Sequence, residues 1–221
     1  AFECGLDNIA ASSIAKRAGL TTGAIYSRYE NSDEMLIALW QQVVAHELRA
    51  LVAETVEAVT TRSTTGVPSD LVARLEKPSR ILGLGAEFVV MAQRNEVVGE
   101  VVIAEVSKWL HEAGLKPGAT AIERAGVALG ASIAIGSTLR SFITTTNPAM
   151  GLVLDGIHNA YLSANAKHSR TKVQVPEPIR SNTGSALRDA LIDATAEVMS
   201  KTGFTGATIS RIARKSGVTS G

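Results

Sequence analysis

At 221 residues the chain is long enough to bury one sizeable core or two small ones, and its formal net charge of +1 argues neither for nor against nucleic acid, where local clustering of Lys and Arg decides. A composition rich in Ala, Val, Leu, Ile, Glu and Arg and only 4% aromatic disfavours a sheet protein and predicts an all-α fold. The single cysteine, Cys4, excludes an intrachain disulfide and a cysteine-type metal site, and it suits a reducing, cytoplasmic compartment.

The opening residues Ala1 to Gly5 carry no basic stretch followed by an apolar run, so they do not read as a secretion signal. The first predicted element is a helix from Ala11 to Ala18 with Ile14 and Ala15 facing inward. Gly19 then suits a turn with positive φ, and Leu20 is expected to plug the core behind it. Thr21 reads as the N-cap of a second short helix that brings Thr22, Gly23, Ser27 and Arg28 to the surface. A short helix, a tight glycine turn and a second helix opening on small polar residues are the requirements of a helix-turn-helix, whose second helix enters the DNA major groove.

From Glu34 to about Thr60, apolar residues recur near the helical period and predict one long helix. Thr60 to Ser69 is a loop by composition, and Lys77-Pro78-Ser79 marks the next helix start. Helices are expected over Ile81–Gln93, Val97–Ala113, Thr120–Ile143 and Ala149–Ala164, with breaks at Gly114–Gly118 and Thr144–Pro148. Ala125 to Leu139 is the most apolar window and is shorter than the roughly 20 residues of a membrane span. Gly126, Gly130 and Ala134 form a small-residue stripe that admits a close helix, either within the chain or across a dimer seam. Lys167 to Ser185, with two prolines and several polar residues, reads as a linker, and Ala186 to Ser200 as a further amphipathic helix.

Self-comparison aligns Gly5–Gly23 with Gly203–Gly221 without a gap. Ser12-Ser13-Ile14-Ala15-Lys16-Arg17-Ala18-Gly19 recurs as Ser210-Arg211-Ile212-Ala213-Arg214-Lys215-Ser216-Gly217. Where the second copy has Thr208 to cap its helix, the first has Ala10. The second copy has no acid between Met199 and Gly221 and is the more basic of the two.

Ile14 to Tyr29, followed by Asn31-Ser32-Asp33-Glu34-Met35-Leu36, resembles the DNA-binding signature of the TetR family of transcriptional regulators. The resemblance implies an all-α protein with a helix-turn-helix over 1–34 whose first helix is missing, and a helical effector-binding and dimerisation body over 35–166. A linker over 167–185 and a partial second helix-turn-helix over 186–221 complete it, so the chain reads as a portion of a tandem protein, with a circular permutation as the rival arrangement. By the same resemblance Thr21, Thr22, Gly23, Tyr26, Ser27 and Arg28 contact DNA, Lys16 and Arg17 attract the phosphate backbone, and Tyr29 packs at the end of the second helix. In the second copy Thr208, Arg211, Thr219 and Ser220 take the corresponding places.

The implied partners are a double-stranded DNA operator, a small-molecule effector lodged near Phe88, Met91, Trp109 and Leu110, and a second copy or an intrachain pseudo-dimer mate. Core packing explains those four apolar residues equally well, and for Tyr26 the plain alternative is an aromatic that anchors helix packing. No membrane partner, catalytic group, cofactor or metal is expected. His46, His111, His158 and His168 lack metal-ligand spacing, and no phosphate loop, nucleophile elbow or Cys–His or Ser–His pairing is legible. Glu30 and Asp33 stand where the family often carries lysine, and Ala10 lacks a cap. These departures motivate the rival function, a degenerate helix-turn-helix protein acting through protein contacts.

Overall fold

The computed structural model describes residues 6, 9–61, 66–140, 149–164 and 180–218, which are helical with no strand among them. They fall into two compact units, Ala1–His168 and Ser169–Gly221. The first unit contains α1 (Ala11–Ala18), α2 (Thr22–Tyr26), α3 (Ser32–Leu39), α4 (Ala45–Thr60), α5 (Ser69–Glu76), α6 (Arg80–Met91), α7 (Glu96–Glu112), α8 (Ala121–Arg140) and α9 (Met150–Ser163). The second contains α10 (Ala186–Gly206) and α11 (Ile209–Ser216). The expected break at Thr144–Pro148 and residues 167–179 of the expected linker lie outside the described residues.

Helix starts follow local hydrogen-bond chemistry. Asn31, Ser79 and Asn95 are in extended conformation, and their side chains accept the N–H of Glu34, Leu82 and Val98 at 3.0, 3.2 and 3.0 Å. Before α8 the exchange is reciprocal: Thr120 Oγ1 accepts the Glu123 N–H at 3.2 Å, and the Glu123 carboxylate accepts the Thr120 N–H at 2.6 Å. Those Thr120 hydrogen bonds hold the Glu123 carboxyl below its ordinary pKa.

The single helix expected from Glu34 to Thr60 is instead α3, a five-residue π-helical segment at Trp40–Val44, and α4 in direct succession. Leu36, Trp40, Val44 and Leu48 are all buried at a spacing of four. That spacing overshoots the 3.6-residue α-turn, and the wider π-turn takes up the difference, so the apolar stripe keeps facing the core. Trp40 is its centre. Its ring stacks on Trp109 (centroids 5.6 Å apart, 18° between planes) and tilts against Phe88 at 5.4 Å. Its buried N–H donates to Glu105 Oε2 at 2.8 Å. Such aromatic pairs contribute about 0.5–1.5 kcal/mol each beyond area burial.

The small-residue stripe of α8 is used within the chain. A Cβ on Gly130 would lie 2.7 Å from Val56 Cα, and one on Gly126 would lie 2.7 Å from both Thr60 Cγ2 and Tyr161 Cε2, so α8 rests closely on α4 and touches α9. Thr55, buried in the same seam, donates its hydroxyl to the Leu51 carbonyl at 2.7 Å. α5 is an element the sequence reading passed over, because only Leu71 and Leu75 of its eight residues are fully buried and so short a stripe carries little periodicity.

In the second unit α10 opens on Ser185 and continues past Ser200 to Gly206 through a break at Gly203, whose φ of 71° and ψ of 176° no helix accommodates. α10 and α11 are tied by Glu197, which accepts from Lys215 Nζ at 2.7 Å and from Lys201 Nζ at 2.9 Å. These two ammonium groups hold the Glu197 carboxyl below its ordinary pKa.

Candidate nucleic-acid interface

α1 ends at Gly19, whose φ of 66° and ψ of 26° place it in the left-handed region that favours glycine. The N–H groups of Gly19 and Leu20 both return to the Ala15 carbonyl, which closes the helix and redirects the chain. Thr21 then caps α2, accepting the Ala24 N–H at 3.2 Å. Ala11 and Ala15 of α1 meet Ile25 of α2 and Met35 of α3 in a small core of their own, with Ile14 and Tyr29 packed against it. Leu20 does not fill that core as expected, because it is 52% exposed.

With Ile25 turned inward, the rest of α2 faces out. Thr21, Thr22, Gly23, Ser27 and Arg28 are exposed, as are Lys16 and Arg17 at the end of α1. Tyr26 is 56% exposed. A Cβ added at Gly23 would find only Thr21 Oγ1, at 3.9 Å, and the backbone there is open to approach. The Ser27 hydroxyl donates back to the Ala24 carbonyl at 3.0 Å and keeps its lone pairs available as acceptors.

α11 repeats α1 in detail. Its bounds match those of α1 at the offset of the aligned sequences, and Gly217 (φ 76°, ψ 16°) ends it as Gly19 ends α1. The Gly217 and Val218 N–H groups both return to Ala213, the counterpart of Ala15. The two helices differ at their starts. Thr208 accepts the Arg211 N–H at 3.4 Å, whereas Ala10 has the same extended backbone and no side chain to accept with. The Arg211 guanidinium donates to the Gly206 carbonyl at 3.0 Å. Thr219 and Ser220 lie outside the described residues.

Two features of this region were not legible. Asp33, read as a charge that weakens attraction to phosphate, accepts a 2.7 Å hydrogen bond from Asn95 Nδ2 at the start of α7. A partner 62 residues away leaves no local sequence signal. Glu34 likewise turns back to accept the Glu30 N–H at 2.5 Å. The candidate ligand residues belong to the main core: Phe88, Met91 and Trp109 are buried in it, Phe88 and Trp109 both against Trp40, and Leu110 packs on it. Leu110 joins Trp109 along a gap of only about 10 Å³, at the lower limit for one water.

Among the described residues no three metal-ligating side chains converge, and no helix is long and apolar enough to cross a membrane. No family model, no curated protein and no solved structure matches the chain.

Proposed function

We propose that the chain is a DNA-binding transcriptional regulator of TetR-like build, a repressor released by a small-molecule effector, whose α1–α2 pair is the helix-turn-helix. One observation carries this reading: after the left-handed Gly19 and the Thr21 cap, Ile25 is buried while Thr22, Gly23 and Tyr26 of α2 and Arg28 just beyond it are all exposed. Threonine and arginine donate to base edges and phosphates, tyrosine reaches phosphate, and a glycine lets the backbone come close. Lys16 and Arg17 add backbone attraction.

A dimer is part of the proposal. Because Gly126 and Gly130 are used against α4 and α9, the seam belongs on the opposite side of α8, where Ala125, Ala128 and Leu129 are exposed, together with the exposed Leu152, Val153 and Gly156 of α9. Sedimentation of the protein with Leu129→Glu and Leu152→Glu should show a dimer reduced to monomer.

The second reading, a degenerate protein acting through protein contacts, is favoured by a specific feature of the second unit. Three of its four basic groups in and before α11 are engaged at home, Arg211 with Gly206 and both Lys201 and Lys215 with Glu197. Anisotropy titrations against genomic fragments at two salt concentrations separate the readings. A regulator prefers particular fragments and weakens steeply with salt, and replacing Thr22, Tyr26 and Arg28 together removes that preference. Binding indifferent to sequence and unchanged by the triple replacement establishes the second reading.

A further inference from the structure

A cleft of about 190 Å³ opens where the end of α4 meets Gly66–Pro68, α5 and α9, well away from α1 and α2 in sequence. Its floor is apolar, made by Ala58, Val67, Pro68 and Leu71, and its walls carry Glu54, Glu57, Asp155 and His158. The charges are not equivalent. Glu54 is satisfied by Arg74, which also lies 3.9 Å from Asp70. The carboxylates of Glu57 on α4 and Asp155 on α9 have no cationic or hydrogen-bonding partner among the described residues, and both stand at the mouth of the apolar cleft.

His158 supplies a third acceptor. Its Nδ1 lies 3.0 Å from the Val59 carbonyl oxygen. A carbonyl cannot donate, so Nδ1 is the donor here, and Nε2 is an acceptor whenever the ring carries that proton alone.

We propose that this cleft binds a small alkylammonium ion, its chain on the Leu71–Val67 floor and its N–H groups directed to Glu57, Asp155 and the His158 ring. An ammonium offers three donors to three acceptors, and its stem removes apolar surface from water. The volume lies below the ~300–1,000 Å³ of sites for drug-sized ligands, so the occupant has few carbons. Among the described residues the lining has no Phe, Tyr or Trp, so carboxylates rather than electron-rich π-faces recognise the charge. This assignment does not depend on the DNA-binding reading.

The test is a titration of the full chain with hexylammonium, followed by calorimetry and by amide chemical shifts, alongside 1-hexanol and hexanoate. Saturable binding of hexylammonium is expected, at least about tenfold tighter than hexanol, with hexanoate excluded. Both carboxylates are exposed, so E57Q/D155N should fold as the parent does and lose about tenfold or more in affinity. In a second variant, Val67→Ser should weaken hexylammonium while sparing the carboxylates, which a diffuse attraction of cations to an acidic surface would not do. Equal affinity for hexylammonium and hexanol, or binding unmoved by E57Q/D155N, overturns the assignment.

Discussion

Gly130→Ala and Gly136→Ala are the same substitution on the same helix, α8, and the packing makes them opposite in sign. At Gly130 the new methyl would stand 2.7 Å from Val56 Cα, 3.0 Å from Val56 N and 2.9 Å from Val56 Cγ2. Carbon atoms rest at about 3.5–4.0 Å, so α4 and α8 must part by roughly 1 Å, and two of the three obstructing atoms are backbone that cannot rotate away. Overpacking of this kind costs about 1–3 kcal/mol, and the better helix propensity of alanine returns about 1 kcal/mol. The net expectation is a loss of up to roughly 2 kcal/mol, towards the upper end because the obstructing atoms are backbone. At Gly136 nothing lies within 4 Å, so only the propensity gain of about 0.5–1 kcal/mol remains. The chain's two tryptophans, Trp40 and Trp109, both belong to the first unit, so their fluorescence during urea unfolding reports that unit alone. Gly130→Ala should lower the midpoint and Gly136→Ala raise it. If Gly130→Ala proves as stable as the parent, α8 does not rest on α4 as described.

Ala10→Thr should install in α1 the cap that Thr208 provides for α11 and stabilise the first unit by about 1 kcal/mol, with Thr208→Ala costing the second unit a similar amount; urea midpoints read by fluorescence and by helical circular dichroism check the pair. Gly23→Ala should leave folding unchanged or slightly improved, because its Cβ meets open space, while lowering operator affinity at least about tenfold if the backbone approaches DNA there. A parallel loss of stability and affinity would remove the case for that approach.

Acid should loosen the second unit through Glu197. Its native pKa is lowered, so its contribution is fully present above the ordinary glutamate value of about 4.3 and disappears as pH falls through the lower native value. Glu197→Gln should therefore flatten the acid limb of that unit's unfolding, measured by circular dichroism, and addition of salt to the parent should mimic the change.

Local backbone chemistry was readable in the sequence because it is decided within a few residues. The left-handed Gly19, the Thr21 cap and the empty cap position at Ala10 each depend on one residue and the next three or four N–H groups. The repeat of α1 in α11 was legible for the same reason. So was the exposure of Thr22, Tyr26 and Arg28, the polar side chains around the one apolar residue, Ile25, that the small core takes in.

What the tertiary structure alone decided is which surface stands opposite which. The glycines of α8 fit a helix within the chain or one across a dimer equally well, and the position of Val56 assigns them to α4. The π-turn at Trp40–Val44 exists because a stripe spaced by four must stay against Phe88 and Trp109, residues about 50 to 70 positions later in the chain. Asp33 bonding Asn95 and the cleft between Glu57 and Asp155 have the same origin. Helical periodicity specifies the angle of a side chain around its own axis, and it carries no information about the neighbour that axis will meet.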